Sequence, residues 1–140
     1  MALSQQKFRE LLFQLLYSHD LAEPCDEDME EMLMKQLGVT KRAVRLAQGK
    51  RRAITEKLEE LDQRIAQASH AYAFHRIPRI ERNILRLGLY ELLHAPSIPP
   101  KVAIAEAIRL ARKFATRDSA SFVNAVLDGL YKATNPPPTE

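Results

Sequence analysis

The side chains able to do covalent chemistry are few and scattered. The four histidines are His19, His70, His75 and His94, and no two stand at the i, i+4 spacing that sets two ligands on one helix face. Cys25 is the one cysteine; it has no partner for an internal disulfide and lacks the paired spacing of a zinc site. The carboxylates Glu81, Glu91, Glu106 and Asp118 could converge in space, yet charge pairing along helices explains them equally well. No G-x-S-x-G elbow and no phosphate-cradling glycine loop occurs. Hydrolysis needs a nucleophile held by a base, or a bound metal. The expectation is no catalytic residue, no metal and no cofactor.

Binding chemistry is better supplied. Lys50, Arg51 and Arg52 form one cationic group. Arg76, Arg79, Arg82 and Arg86 follow at steps of three, three and four, one helical side. Arg109, Arg112, Lys113 and Arg117 form a third group with Phe114 inside it. Such groups neutralise phosphates, and an aromatic ring can stack on an unpaired base. A solvated helix face accounts for any single group, so both readings stand at this point. Charge is also uneven along the chain: residues 1–39 hold 3 basic and 8 acidic side chains, residues 40–140 hold 18 and 10. A basic body with an acidic segment suits a polyanionic partner, although solubility alone produces similar surfaces.

These residues must be held by helices. The chain has 140 residues, 46% hydrophobic and 28% charged, with 4 glycines, a globular composition that favours helix. A chain of that size buries about 68–70% of its unfolded surface without a metal or disulfide. The opening residues carry Lys7, Arg9 and Glu10 through their apolar positions, unlike a secretory leader. Nowhere do about 18 apolar residues run together, so a cytoplasmic protein is expected, with no membrane association.

Ser4 caps a first helix to about Asp20, with Phe8, Leu11, Leu12, Leu15 and Leu16 on its buried face. Pro24 interrupts it, the acidic run Asp26–Asp28 opens a short second helix, and Gly38 ends that one. From Thr40, the positions Val44, Ala47, Ile54, Leu58, Leu61, Ile65, Ala68 and Tyr72 alternate steps of three and four. A long helix packed in a bundle, or a coiled-coil seam, fits that pattern, with Gly49 marking a bend or break. Pro78 opens a central helix that is apolar round more than half its circumference. After "HAPSIPP", Val102 to Phe114 form another helix, and "RDSASFVNAVLDGLYK" forms the last, with Phe122, Val123, Val126, Leu127 and Leu130 as its stripe. The reading is an all-α bundle of about six or seven helices. One domain spans residues 1–133, and residues 134–140 form a flexible proline-rich tail.

"ERNILRLGLYELL" followed by "IPPKVAIAEAIRLARKFATRDSASFVNAVLDGL" resembles the NusB family of transcription antitermination factors in order, spacing and identity. "FRELLFQLLYSHDL" matches the family's first helix. The resemblance runs from about Lys7 to Leu130, strongest from Pro78 onward and weakest between Glu23 and His75. It implies two packed helical subbundles and no catalytic role. It also implies two partners, boxA-type single-stranded RNA and the ribosomal protein NusE, within a complex that keeps RNA polymerase from terminating on ribosomal RNA operons. By correspondence, Lys7 and Arg9 begin the helix that meets RNA, Phe114, Asp118 and Ser119 form the turn near it, and Tyr17 and Glu81 face the protein partner. Charge and location add Arg76, Arg112, Lys113 and Arg117 to the RNA-binding set. On this reading Asp118–Ser119 caps the last helix, and Asn124 is a partly buried amide bonded to a neighbouring helix or connector, or else packs at the boundary without a special bond.

Two departures from the family pattern stand out. The family's first helix often opens with several arginines, whereas Gln5 and Gln6 stand here and release no counterions. Ala105 replaces the family's asparagine before Glu106. Other readings stay open: an accessory domain akin to the N-terminal part of ribosomal RNA cytosine methyltransferases, or a protein-only adaptor or homodimer whose basic faces are merely solvated.

Overall fold

The computed structural model describes residues 3–69 and 73–134. His70 and Tyr72, placed above among the histidines and on the long stripe, lie outside the described residues, as do residues 135–140 of the expected tail. The described chain is all-helical and divides into two compact units, residues 1–56 and 57–140. None of its helices is long and apolar enough to cross a membrane.

The first unit holds α1 (Gln5–Asp20), α2 (Glu27–Leu37) and α3 (Lys41–Thr55). Each start is fixed by a side chain that accepts an otherwise unpaired N–H of the first turn. Ser4 Oγ takes the Lys7 N–H at 3.1 Å, Asp26 Oδ1 the Met29 N–H at 3.0 Å, and Thr40 Oγ1 the Ala43 N–H at 3.1 Å. Gly38 ends α2 with a φ of 63°, the left-handed conformation glycine adopts without strain. α1 ends in the same way on a residue with a β-carbon. Ala22 has a φ of 58°, and the Glu23 N–H closes back on Ser18 O at 2.9 Å. Leu11, Leu15, Leu33, Val39, Val44 and Ala47 make the core, with Phe8, Met29 and Met34 packed at its margin.

The break after α3 differs from the expected long helix. The regular helix continues through Gly49 and stops at Thr55, whose hydroxyl donates to Arg52 O at 3.0 Å alongside the Glu56 N–H, also at 3.0 Å. Lys57 then leaves helical geometry at φ −105° and ψ 9°.

The second unit holds α4 (Leu58–Ala68), a 3-10 turn (Phe74–Arg76), α5 (Arg79–His94), α6 (Pro100–Phe114) and α7 (Arg117–Thr134). Pro78 sits one residue before α5, Pro100 takes the first position of α6, and α7 includes Thr134. α5 packs on α4, α6 and α7 and buries Ile84, Leu85, Leu87 and Leu89 together with Glu81, Asn83, Arg86 and Glu91. A β-carbon on Gly88 would lie 2.9 Å from Leu127 Cδ1, so α5 and α7 touch there because the side chain is absent. Arg86 is enclosed and held: Nε and Nη2 donate to the two carboxylate oxygens of Asp62 on α4, both at 2.8 Å, and Nη1 donates to Asn83 Oδ1 at 3.2 Å.

Two outcomes follow for chemical denaturation. Asp62→Ala strands a buried guanidinium and is expected to cost about 3 kcal/mol, whereas the apolar pair Asp62→Leu with Arg86→Met recovers most of it. Ala22→Gly relieves the left-handed alanine and is expected to stabilise by about 1 kcal/mol.

Candidate nucleic-acid interface

α7 starts from Thr116. Its Oγ1 accepts the Ser119 N–H at 3.0 Å, so Thr116, rather than Asp118–Ser119, caps the helix. Asp118 and Ser119 instead stand in the first turn, where a carboxylate and a hydroxyl suit the positive end of the dipole. The Ser119 hydroxyl donates across to Glu81 Oε1 on α5 at 3.0 Å, and lies 3.0 Å from Thr116 Oγ1. Ser119 has one proton and gives it to the carboxylate, so Thr116 must donate to Ser119. The three groups form a one-way hydrogen-bond chain ending on Glu81, which is only 7% exposed.

Beside this chain lies a cleft of about 280 Å³ lined by Arg76, Ile77, Pro78, Glu81, Asp118, Ser119 and Phe122. A second, more polar recess of about 450 Å³ is lined by Arg112, Arg117 and Ser121. Successive helical side chains diverge by about 100°, which is why Arg117 and Asp118 serve different recesses. At the end of α6, Lys113 Nζ stands 5.8 Å from the centre of the half-buried Phe114 ring. Arg76, Asp118, Ser119 and Glu81 thus come together, with Arg112 and Arg117 lining the second recess.

The other predicted positions fall differently. Arg82 and Arg86, expected on the same cationic face as Arg76, turn inward. Arg82 Nη2 donates to the carbonyls of His75 at 3.4 Å and Ile77 at 3.0 Å, and both guanidiniums lie over Phe74, at 5.1 and 5.7 Å. Arg109 pairs with Glu106 at 2.8 Å. Arg76, Arg112, Lys113 and Arg117 remain exposed.

In the first unit Lys7 is exposed, its ammonium 3.8 Å from where a β-carbon of Gly38 would stand, beside the C-terminus of α2. Arg9, expected to meet RNA, is instead 6% exposed, because it falls on the broad buried arc of α1 with Leu12 and Phe13. Tyr17 is half-buried with its ring 6.3 Å from that of Phe13. Asn124 is exposed rather than a buried amide; the buried stripe of α7 runs through Val123, Val126, Leu127 and Leu130 and leaves it outside.

Sequence reasoning missed Thr116 and the second role of Phe122. Phe122 stands four residues after Asp118 and therefore shares its face, a signal outweighed by the hydrophobic pattern. Cys25 borders a small pocket with His19, Gln48 and Arg51. Burial is the main effect on its thiol and pushes its pKa up, against a lowering hydrogen bond with Gln48. A thiol kept protonated is a poor nucleophile, and among the described residues no group of His, Cys, Asp and Glu is arranged to hold a metal.

The NusB family profile matches residues 6–132. The chain belongs to the NusB family. The transcription antitermination protein NusB of Chlamydia pneumoniae is 36% identical over 127 residues, covering 91% of this chain and 79% of that protein. That of Dehalococcoides mccartyi (strain CBDB1) is 36% identical, covering 95% and 93%. Among solved structures, T. maritima NusB superposes with a TM-score of 0.77 at 33% identity, covering 94% of this chain and 93% of that one. A structure of the antitermination factors NusB and NusE in complex with double-stranded RNA has a matching chain with a TM-score of 0.74 at 28% identity, covering 92% and 96%.

Removing the cap or the relay should be measurable separately. Thr116→Ala is expected to cost about 1–2 kcal/mol in urea unfolding, through the lost N-cap and the lost hydroxyl bond to Ser119. Ser119→Ala keeps the cap, leaves the Glu81 carboxylate without that donor, and costs about 1–2 kcal/mol.

Proposed function

We propose that this protein is a cytoplasmic RNA-binding transcription antitermination factor that joins the ribosomal protein NusE on boxA-type single-stranded RNA during transcription of ribosomal RNA operons, as part of the antitermination complex on RNA polymerase. The observation that carries this reading is the Ser119–Glu81 hydrogen bond in a cleft that Arg76 also lines, on a chain of the NusB family. Asp118 and Ser119, assigned to RNA, and Glu81, assigned to the protein partner, line one cleft. The NusB relatives named above carry the antitermination function in their names, and one structural neighbour is a complex with NusE and RNA.

In mechanism the protein acts by binding alone. Arg76, Arg112, Lys113 and Arg117, with Lys7, neutralise phosphates, and guanidinium forks do so bidentately. Phe114 offers a ring face to an unpaired base. Asp118 and Ser119 supply acceptor groups at base edges, with Ser119 held in one orientation by Thr116 and Glu81. Tyr17 and Glu81 are the residues assigned to NusE. Arg9 supports α1 from its buried position.

Labelled boxA-type RNA is titrated with and without NusE. Tighter binding with NusE is expected, and no gain on any related RNA, single- or double-stranded, would sink the proposal. With about four phosphates neutralised on a single strand, affinity should fall roughly fiftyfold between 50 and 200 mM salt. Each of Arg112→Ala, Lys113→Ala and Arg117→Ala should make the logarithmic salt slope shallower by about 0.7 if its cation contacts a phosphate.

A further inference from the structure

The outward face of α3 takes no part in the site above. Over Lys41–Thr55 the helix carries Lys41, Arg42, Arg45, Lys50, Arg51 and Arg52 and no acidic residue. Arg51 turns inward, its Nε donating to Gln48 Oε1 at 3.1 Å. Lys41, Arg42, Arg45 and Arg52 are exposed, and among the described residues none of the four makes an ion pair. Helical geometry puts Lys41, Arg45 and Arg52 within about 40° of one another around the axis and Arg42 about 60° beyond Arg45, with Arg45 and Arg52 about 10.5 Å apart along it.

Gly49 lies in the middle of this face. Glycine is the least favourable residue after proline in a helix interior, and no packing requirement accounts for it here: a β-carbon on Gly49 would meet nothing within 4 Å. Its effect is to leave a bare stretch of backbone between Arg45 and Arg52, which lets another backbone approach closely. A membrane is a poor match, because the apolar residues Ala43, Val44, Ala47 and Ile54 are buried and only Leu46, 61% exposed, remains on the outside. A sugar–phosphate chain matches both features, flat guanidinium forks for phosphate and a gap for the strand.

We propose that the outer face of α3, formed by Lys41, Arg42, Arg45 and Arg52 around Gly49, is a second, sequence-independent binding surface for the phosphate backbone of RNA. This rests on the RNA-binding reading above, and it assigns a partner to the most weakly family-like part of the chain.

The full chain is titrated with a boxA-type RNA and with a labelled single-stranded uridine 30-mer, comparing wild type with the triple variant Arg42→Gln, Arg45→Gln, Arg52→Gln. On the uridine probe the logarithmic salt slope should become shallower by about 2 in the variant, which removes roughly twentyfold of the salt-dependent loss between 50 and 200 mM. Gly49→Ala should bind the probe more weakly while melting about 2–4 °C higher, a combination that loss of folding cannot produce. An unchanged slope in the triple variant, or α3-dependent binding to anionic phospholipid vesicles in preference to the uridine probe, overturns the proposal. If boxA-type RNA still binds in that case, the reading of the main site stands. If wild type binds neither RNA, both fail.

Discussion

A helix enclosed by its neighbours must find a partner inside the protein for every charge it buries, since transferring an unpaired ion out of water costs several kcal/mol. α5 is such a helix, and it buries Glu81, Arg86 and Glu91 along with its leucines. Arg86 is matched by both oxygens of Asp62 from α4, and Glu81 by the Ser119 hydroxyl from α7. Each pairing ties α5 to a different helix. The demand for charge compensation therefore does more than stabilise the second unit; it selects which residues of α4 and α7 face the centre. The cleft is a product of that selection, because Glu81 and Ser119 line it side by side only while α7 presents Ser119 to α5.

The same constraint explains the fate of the cations. Charge count treats Arg76, Arg79, Arg82 and Arg86 alike, but burial sorts them. Arg86 is held by a carboxylate 24 positions earlier in the chain, and Arg82 by the carbonyls of the turn that carries Arg76. Arg82 and Phe74 thereby hold the segment from which Arg76 reaches the cleft. Cations on the inside set the stance of a cation on the outside.

Much of the architecture was legible because it is written locally. Ser4, Asp26, Thr40, Gly38 and Pro78 act through hydrogen bonds or steric limits within a few residues, and apolar spacing marks the buried arcs. What could not be read depends on contacts distant in sequence or on weak local choices. The break at Lys57 has no glycine or proline to announce it; a back-bonded threonine, Thr55, stands just before it. Gly49 suggested a bend or break, and α3 continues through it unbroken. The pairing of Ser119 with Glu81 spans 38 residues, and no spacing rule within one helix reaches that far. Arg9 and Asn124 show the limit of type-based inference: an arginine lies inside and an amide outside because position on the helical arc outweighs the preference of the side chain.

Gly88 has an effect beyond packing. Its bare α-carbon lets α5 rest directly on Leu127 of α7, and the Glu81–Ser119 bond lies about two turns away, near the other end of the same helix pair. The bare α-carbon and the carboxylate–hydroxyl bridge thus fasten one helix pair at two points along its length, a glycine at one and a hydrogen bond at the other.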